Sequence, residues 1–263
     1  MKNLYLSFFL VATILSCRNE KNETNKINIG TKSKKSSFSD SVIKLKDTIV
    51  LLKKGPKDIN DNELIKLFQI NKYDPEAFSI KKYNQYLNPK FSVNKKQFFR
   101  RGKENYILAV LGLWLEGGNH FDTGASYIGC FQLVDEKWEL TNKPLKVEGR
   151  SMWGNCDDVK TIEKYGENLI CASLEGGQGN QGFMETNIGY YGFNSQNEIK
   201  LIYSGLTSSS DGGAGGSTND EYEYKFLIAK NLTYYQLEKI KKSNEKIVSK
   251  KLLKFNENTL KYE

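Results

Sequence analysis

Leu115-Glu116-Gly117-Gly118-Asn119 returns fifty-nine positions later as Leu174-Glu175-Gly176-Gly177-Gln178, and this recurrence sets the architecture. The residues after each copy also match, since Ile128-Gly129 with Phe131 and Leu133 comes back sixty positions on as Ile188-Gly189 with Tyr191 and Phe193. A third, weaker copy closes the chain, where Leu253, Phe255 and Asn256 follow Tyr191, Phe193 and Asn194 by sixty-two. Self-similarity at a fixed period marks a structural unit that buries its apolar face against a neighbouring unit.

Inside each unit the pattern is that of strands. Glu221-Tyr222-Glu223-Tyr224-Lys225-Phe226 alternates polar and apolar residues, which gives a strand one wet face and one dry face. Gly129, Phe131 and Leu133 share a face, and the repeat carries that face to Tyr191 and Phe193, then to Leu253 and Phe255. A turn comes next each time, at 135–137, 194–197 and 256–258. A short strand then returns with Trp138 and Leu140, Ile199 and Leu201, or Leu260 and Tyr262. With entering strands at 106–115, 169–174 and 222–229, the reading is three blade-like units of antiparallel strands. The expected fold is mainly β, a repeated antiparallel meander arranged as a partial propeller, a sandwich or a barrel. The stretch 237–252 also fits a basic amphipathic helix with Ile240, Ile247 and Val248 on one side; the repeat favours two strands joined at Ser243-Asn244.

Two helical signals precede the repeat. Asn60 with Glu63 has the form of a capping box before Leu64, Ile65 and Phe68, which share a helical face. Asp74-Pro75-Glu76 sets a cap before a first-turn proline, with Phe78, Tyr86 and Leu87 facing a core until Asn88-Pro89 ends the run. These helices are expected to cap the neighbouring sheet.

The first residues carry a different message. Met1-Lys2-Asn3 leads into an apolar run over 4–15, too short to remain as a spanning helix and in keeping with a secretory signal. Ile14-Leu15-Ser16-Cys17 resembles the lipobox of bacterial lipoprotein precursors. That resemblance implies lipidation of Cys17 and a membrane anchor through the N-terminal lipid, with the chain exported and facing the periplasm or the cell surface. Residues 18–57, dominated by lysine, asparagine, serine and threonine until Ile49-Val50-Leu51-Leu52, read as a flexible tether. The expected organisation is 1–17 signal and lipobox, 18–57 tether, 58–103 helical cap and 104–263 repeated β domain. The Asn22-Glu23-Thr24 and Asn231-Leu232-Thr233 triplets match the N-glycosylation pattern, which in a bacterial lipoprotein is coincidence.

The net charge of +8 is spread along the chain, with no arginine cluster or aromatic-basic signature, so nucleic acid is not an expected partner. Cys130, Cys156 and Cys171 fit no zinc spacing, and His120 is the only histidine, so no metal or cofactor is expected. Three cysteines allow at most one internal disulfide, and buried inert thiols are the plainer reading.

The two glycine copies are expected as corresponding loops at one edge of the fold. Glu116, Asn119, His120 and Asp122 would join Glu175, Gln178, Asn180 and Gln181 as a ligand-binding cluster. Glu116 and Glu175 would also make a carboxylate pair of the kind that cleaves glycosides. The small-residue stretch 208–220 reads as a solvated linker, with Asp211 and Asp220 lacking the spacing of a calcium hand. Trp153, in the irregular stretch 153–158, caps the core or anchors a partner. With no credible nucleophile and base, the expectation is a non-enzymatic envelope module that binds a protein or glycan, an immunity protein or inhibitor being one form of it. The alternatives are a carboxylate-dependent wall or glycan hydrolase and a purely structural envelope component.

Overall fold

The structure, a computed structural model, describes residues 48–82, 85–180, 182–212, 219–229 and 232–263. The signal-like run, Cys17, most of the tether, Gln181 and Asn231 lie outside the described residues.

The chain opens with β1 (Ile49–Leu52), so the ordered β domain begins inside the stretch read as tether. Next come α1 (Asp61–Leu67), α2 (Ile70–Tyr73) and a 3-10 turn at Pro75–Phe78. The capping box is made as expected: Asn60 Oδ1 accepts from Glu63 N at 2.9 Å, and Asn60 N donates to Glu63 Oε2. The helical run ends at Phe78, short of Leu87. After the small hairpin β2 (Lys81–Lys82) and β3 (Gln85–Tyr86), residues expected in the cap form the long strand β4 (Asn88–Arg101). Pro89 fits there because β1 pairs only with the far end of β4, which leaves the Pro89 end at the sheet edge.

Two antiparallel sheets make up the body of the chain. The first takes the order β1-β4-β5-β6-β7, with β5 (Glu104–Glu116), β6 (Ala125–Val134) and β7 (Lys137–Leu140); β8 (Leu145–Glu148) pairs with the start of β6. The second is a seven-stranded meander: β9 (Asp158–Gly166), β10 (Leu169–Asn180), β11 (Phe183–Phe193), β12 (Ile199–Asp211), β13 (Asn219–Leu227), β14 (Gln236–Ser243) and β15 (Lys246–Leu253). A last hairpin joins β16 (Phe255–Asn256) to β17 (Lys261–Tyr262). The region 237–252 is therefore the strand pair, with Asn244 and Glu245 both at positive φ in a two-residue turn.

The units do not radiate as blades; they stack as layers. Along β5, Ile107, Ala109, Leu111 and Leu113 face the helices with Leu64 and Phe68, while Tyr106, Leu108 and Val110 face β9 and β10 with Ile162, Ile170 and Ala172. Both faces of this strand are covered, so it reads as an unbroken apolar run instead of an alternation. Each fully buried leucine here contributes about 1.5–3 kcal/mol. Phe131 meets Phe68 edge-on at 5.1 Å, so the helices do cap the first sheet.

Tyr191 and Phe193, the repeat partners of Phe131 and Leu133, face that sheet in turn. Leu253 and Phe255 face β9 to β12, beside Leu169, Cys171 and Tyr190. Between β12 and β13 only Ser208–Ser210 pair with 219–221, and beyond this short seam the sheet folds back over itself until Phe226 lies 3.9 Å from Tyr165. The shared face of the repeat thus points the same way in every layer, covered first by helices, then by the first sheet, then by the second. Arg101, 8% exposed, joins the layers by donating to Asn194 O at 2.9 Å while lying over the Tyr106 and Phe193 rings.

Candidate ligand-binding edge

The two glycine copies differ in structure. In the first, β5 stops at Glu116 and a loop, 117–124, leads to β6. In the second, Glu175 to Asn180 continue β10, with Gln178 opposite Glu185 and Asn180 opposite Phe183 on β11. The expectation of two corresponding loops is corrected accordingly. The cause is the crossover segment 149–157, which carries the chain from β8 to β9. It takes hydrogen-bonding positions that β6 would otherwise occupy: Leu115 N donates to Gly154 O at 2.9 Å and Gly124 N to Asn155 O at 2.8 Å. No such segment intrudes on β10 and β11, whose ladder runs to its tip.

The glycines serve close approach in both copies. A β-carbon on Gly118 would sit 2.9 Å from Gly154 Cα, and one on Gly176 would overlap the Asp157 carboxylate. Asp157 is buried and bound by Arg150, whose N donates to Oδ1 at 2.6 Å and whose Nε donates to Oδ2 at 2.7 Å. Arg150 also donates to Leu174 O at 2.9 Å. The crossover segment is therefore clamped to both copies.

Of the expected site residues, some build the loop and others face solvent. Asn119 N donates to Asp122 Oδ2 at 2.8 Å, and Asn119 Oδ1 accepts from Phe121 N at 2.9 Å, so the buried Asp122 and the exposed Asn119 both hold the 117–124 loop. Asp122 is 2% exposed. His120 and Gln178, in contrast, do come together, lining a pocket of about 280 Å³ with Phe121, Thr123, Met152, Gly179 and Phe183. Asn180 ends β10 at the same hairpin, one residue before the undescribed Gln181.

The rim of this pocket is apolar and uncovered. Phe121 is 75% exposed, Trp153 57% and Phe183 47%. His120 stacks edge-on between two of them, 5.2 Å from Phe121 and 5.4 Å from Trp153. Sequence reasoning selects the polar residues of these loops; the signal it misses is the placing of large apolar residues beside turn-forming glycines. Trp153 sits with the rim and not in the core. A larger hollow of about 440 Å³ lies between the helices and Phe91, but it contains none of the expected site residues.

Glu116 and Glu175 end on different lysines. Glu116 accepts from Lys90 at 2.8 Å and from Asn88 at 2.8 Å, and these bonds hold its carboxyl below the usual carboxylate range. A carboxyl held ionised is poorly suited to donate a proton to a leaving group. Glu175 pairs with Lys160 of β9 at 2.6 Å. Asp220 pairs with Lys241 at 2.7 Å. Among the described residues no group of three His, Cys, Asp or Glu side chains is placed to hold a metal ion. Cys130, Cys156 and Cys171 are free and buried, and burial pushes all three thiols up.

Compared with protein-family models, curated proteins and solved structures, the chain matches none.

Proposed function

We propose that this chain is a lipid-anchored envelope protein that captures a protein partner at the aromatic edge formed by the 117–124 loop, the 149–157 crossover and the β10–β11 hairpin. The observation that carries the reading is the exposure of Phe121 and Phe183, which line the His120 and Gln178 pocket, and of Trp153, which meets His120 edge-on beside it. Aromatic residues and methionine are the side chains enriched at the centres of protein interfaces. Protein is favoured over glycan here because the rim is built of exposed Phe121, Trp153 and Phe183, while the Asp122 carboxylate is buried and accepts from Asn119 N within the loop. An immunity protein or an inhibitor of an incoming enzyme is one form of such a module. Export and anchoring rest on the resemblance of Ile14-Leu15-Ser16-Cys17 to a lipobox.

The test places a photo-crosslinking residue at position 121 or at position 201 of the full chain and irradiates it in envelope membranes. One protein adduct from position 121, absent from position 201 and lost when Trp153 is changed to Ser, is the expected result. Adducts of polysaccharide alone would replace protein by glycan, and no specific adduct would end the reading. Fatty-acid labelling of the wild type but not of Cys17→Ser tests the anchor separately.

A further inference from the structure

A second recess lies where the folded-back strand β13 stands off from β9 to β11. It holds about 280 Å³, just below the roughly 300–1,000 Å³ typical of small-molecule sites and enough for one small ring. Tyr190 lines it at 5% exposure, and its hydroxyl has no hydrogen-bond partner among the described residues. Burial pushes that phenol up, so it stays a neutral hydroxyl at any physiological pH. Beside it runs a hydroxyl chain, Ser173 Oγ to Thr161 Oγ1 at 2.8 Å and Thr161 Oγ1 to Tyr165 OH at 2.9 Å. The Phe226 ring closes the recess, edge-on to Tyr190 at 5.2 Å.

From this combination we infer that the recess between β9–β11 and β13 binds one neutral pyranose ring. Hydroxyl groups serve as both donors and acceptors, which is what ring hydroxyls of a sugar require of a site. The apolar C–H face of the ring would lie on Phe226, and the unpartnered Tyr190 hydroxyl would meet a sugar oxygen. A sugar oxygen can use the hydrogen-bonding capacity of the Tyr190 hydroxyl, which a purely apolar ligand cannot. Charge excludes the acidic sugars: Lys160 and Lys164 at the mouth are matched by Glu175 at 2.6 Å and Glu167 at 2.7 Å, and Glu163 adds a further negative charge there. The site is separate from the aromatic edge, and neither reading depends on the other.

Isothermal titration of the full chain in a zwitterionic, sugar-free detergent tests the inference, with glucose, galactose, mannose and N-acetylglucosamine as probes and glucuronate and mannitol as comparisons. At least one neutral pyranose is expected to bind with a Kd on the order of millimolar, ahead of both comparisons. Tyr190→Phe, which removes one hydroxyl, is expected to weaken it roughly five- to tenfold. If that variant melts early, Ile228→Arg carries the test instead, since Ile228 is 80% exposed at the rim and its replacement obstructs the mouth without entering the core. Absence of heat from every pyranose, stronger binding of glucuronate, or wild-type affinity in these variants would overturn the assignment.

Discussion

The Asp157 carboxylate occupies the space that a β-carbon on Gly176 would need, and the same carboxylate is the anchor for Arg150. A recurring glycine of the sequence is thereby tied to a buried ion pair on a different segment. Gly176→Ala is expected to force the pair apart and to destabilise the fold by about 1–3 kcal/mol, read by chemical denaturation. Asp157→Asn keeps the volume and weakens the pairing, and its loss should not add to that of Gly176→Ala, because both act on one contact. Full additivity in the double variant would separate the two.

Binding should follow the rim and not the carboxylates. Trp153→Ala is expected to weaken partner capture by about 2 kcal/mol, roughly thirtyfold, as for an interface anchor. Glu116→Gln, which alters only exposed contacts with Lys90 and Asn88, should leave capture unchanged. Surface plasmon resonance with the crosslinked partner measures both, and the reverse order would shift the site to the β5 terminus.

Acid should weaken the tie between the helical cap and the first sheet. Burial works to raise the Asp74 carboxyl, but the hydrogen bond from Tyr127 at 2.5 Å and the Lys146 ammonium at 3.1 Å hold it below the usual range. In the unfolded chain an aspartate takes up its proton near pH ~3.9, so the folded form gains stability above that pH and loses it as pH falls through the lower folded value. Asp74→Asn should flatten this part of the stability profile below about pH 5, measured by denaturation at stepped pH. An unchanged slope would remove Asp74 from the account.

Thiol chemistry should be silent in the native state. Cys130, Cys156 and Cys171 are each at most 2% exposed, with burial opposing the thiolate in each. Only the thiolate reacts readily, so a disulfide reagent should modify none of the three until denaturant is added. Rapid native labelling at any of them would show a local opening of its strand.

The strands of the repeat, their turns and the common face are legible in the sequence, because each is set by neighbours within a few positions, whereas β1 and β4 are not. Asn194 and Asn256 illustrate this: each side chain accepts backbone N–H groups two or more residues on, closing equivalent turns. The different fates of Glu116 and Glu175 are hidden, since the crossover that diverts β5 belongs to neither copy. Stacking in layers is hidden for the same reason. Whether a third unit adds a blade or folds back depends on how few residues of β12 and β13 pair with each other, and periodicity does not record the length of that ladder. At the site, His120 and Gln178 are legible as polar loop residues, whereas the rim of Phe121 and Phe183 escapes notice because periodicity assigns apolar side chains to the core.

Because every layer presents the same face toward the N-terminal side, the chain is built to be completed in one direction. A growing polypeptide that has reached Glu148 has helices over one side of its sheet, while Leu108, Val110, Ile128 and Cys130 still wait for a cover. That cover comes from β9 to β11, which in turn await Leu237 and Leu253. At one edge of the second sheet β15 carries Lys246, Lys250 and Lys251, where charge discourages the addition of another strand to that sheet. Each layer is thus incomplete until the next part of the chain folds over it, and the order of synthesis is the order in which the cores close.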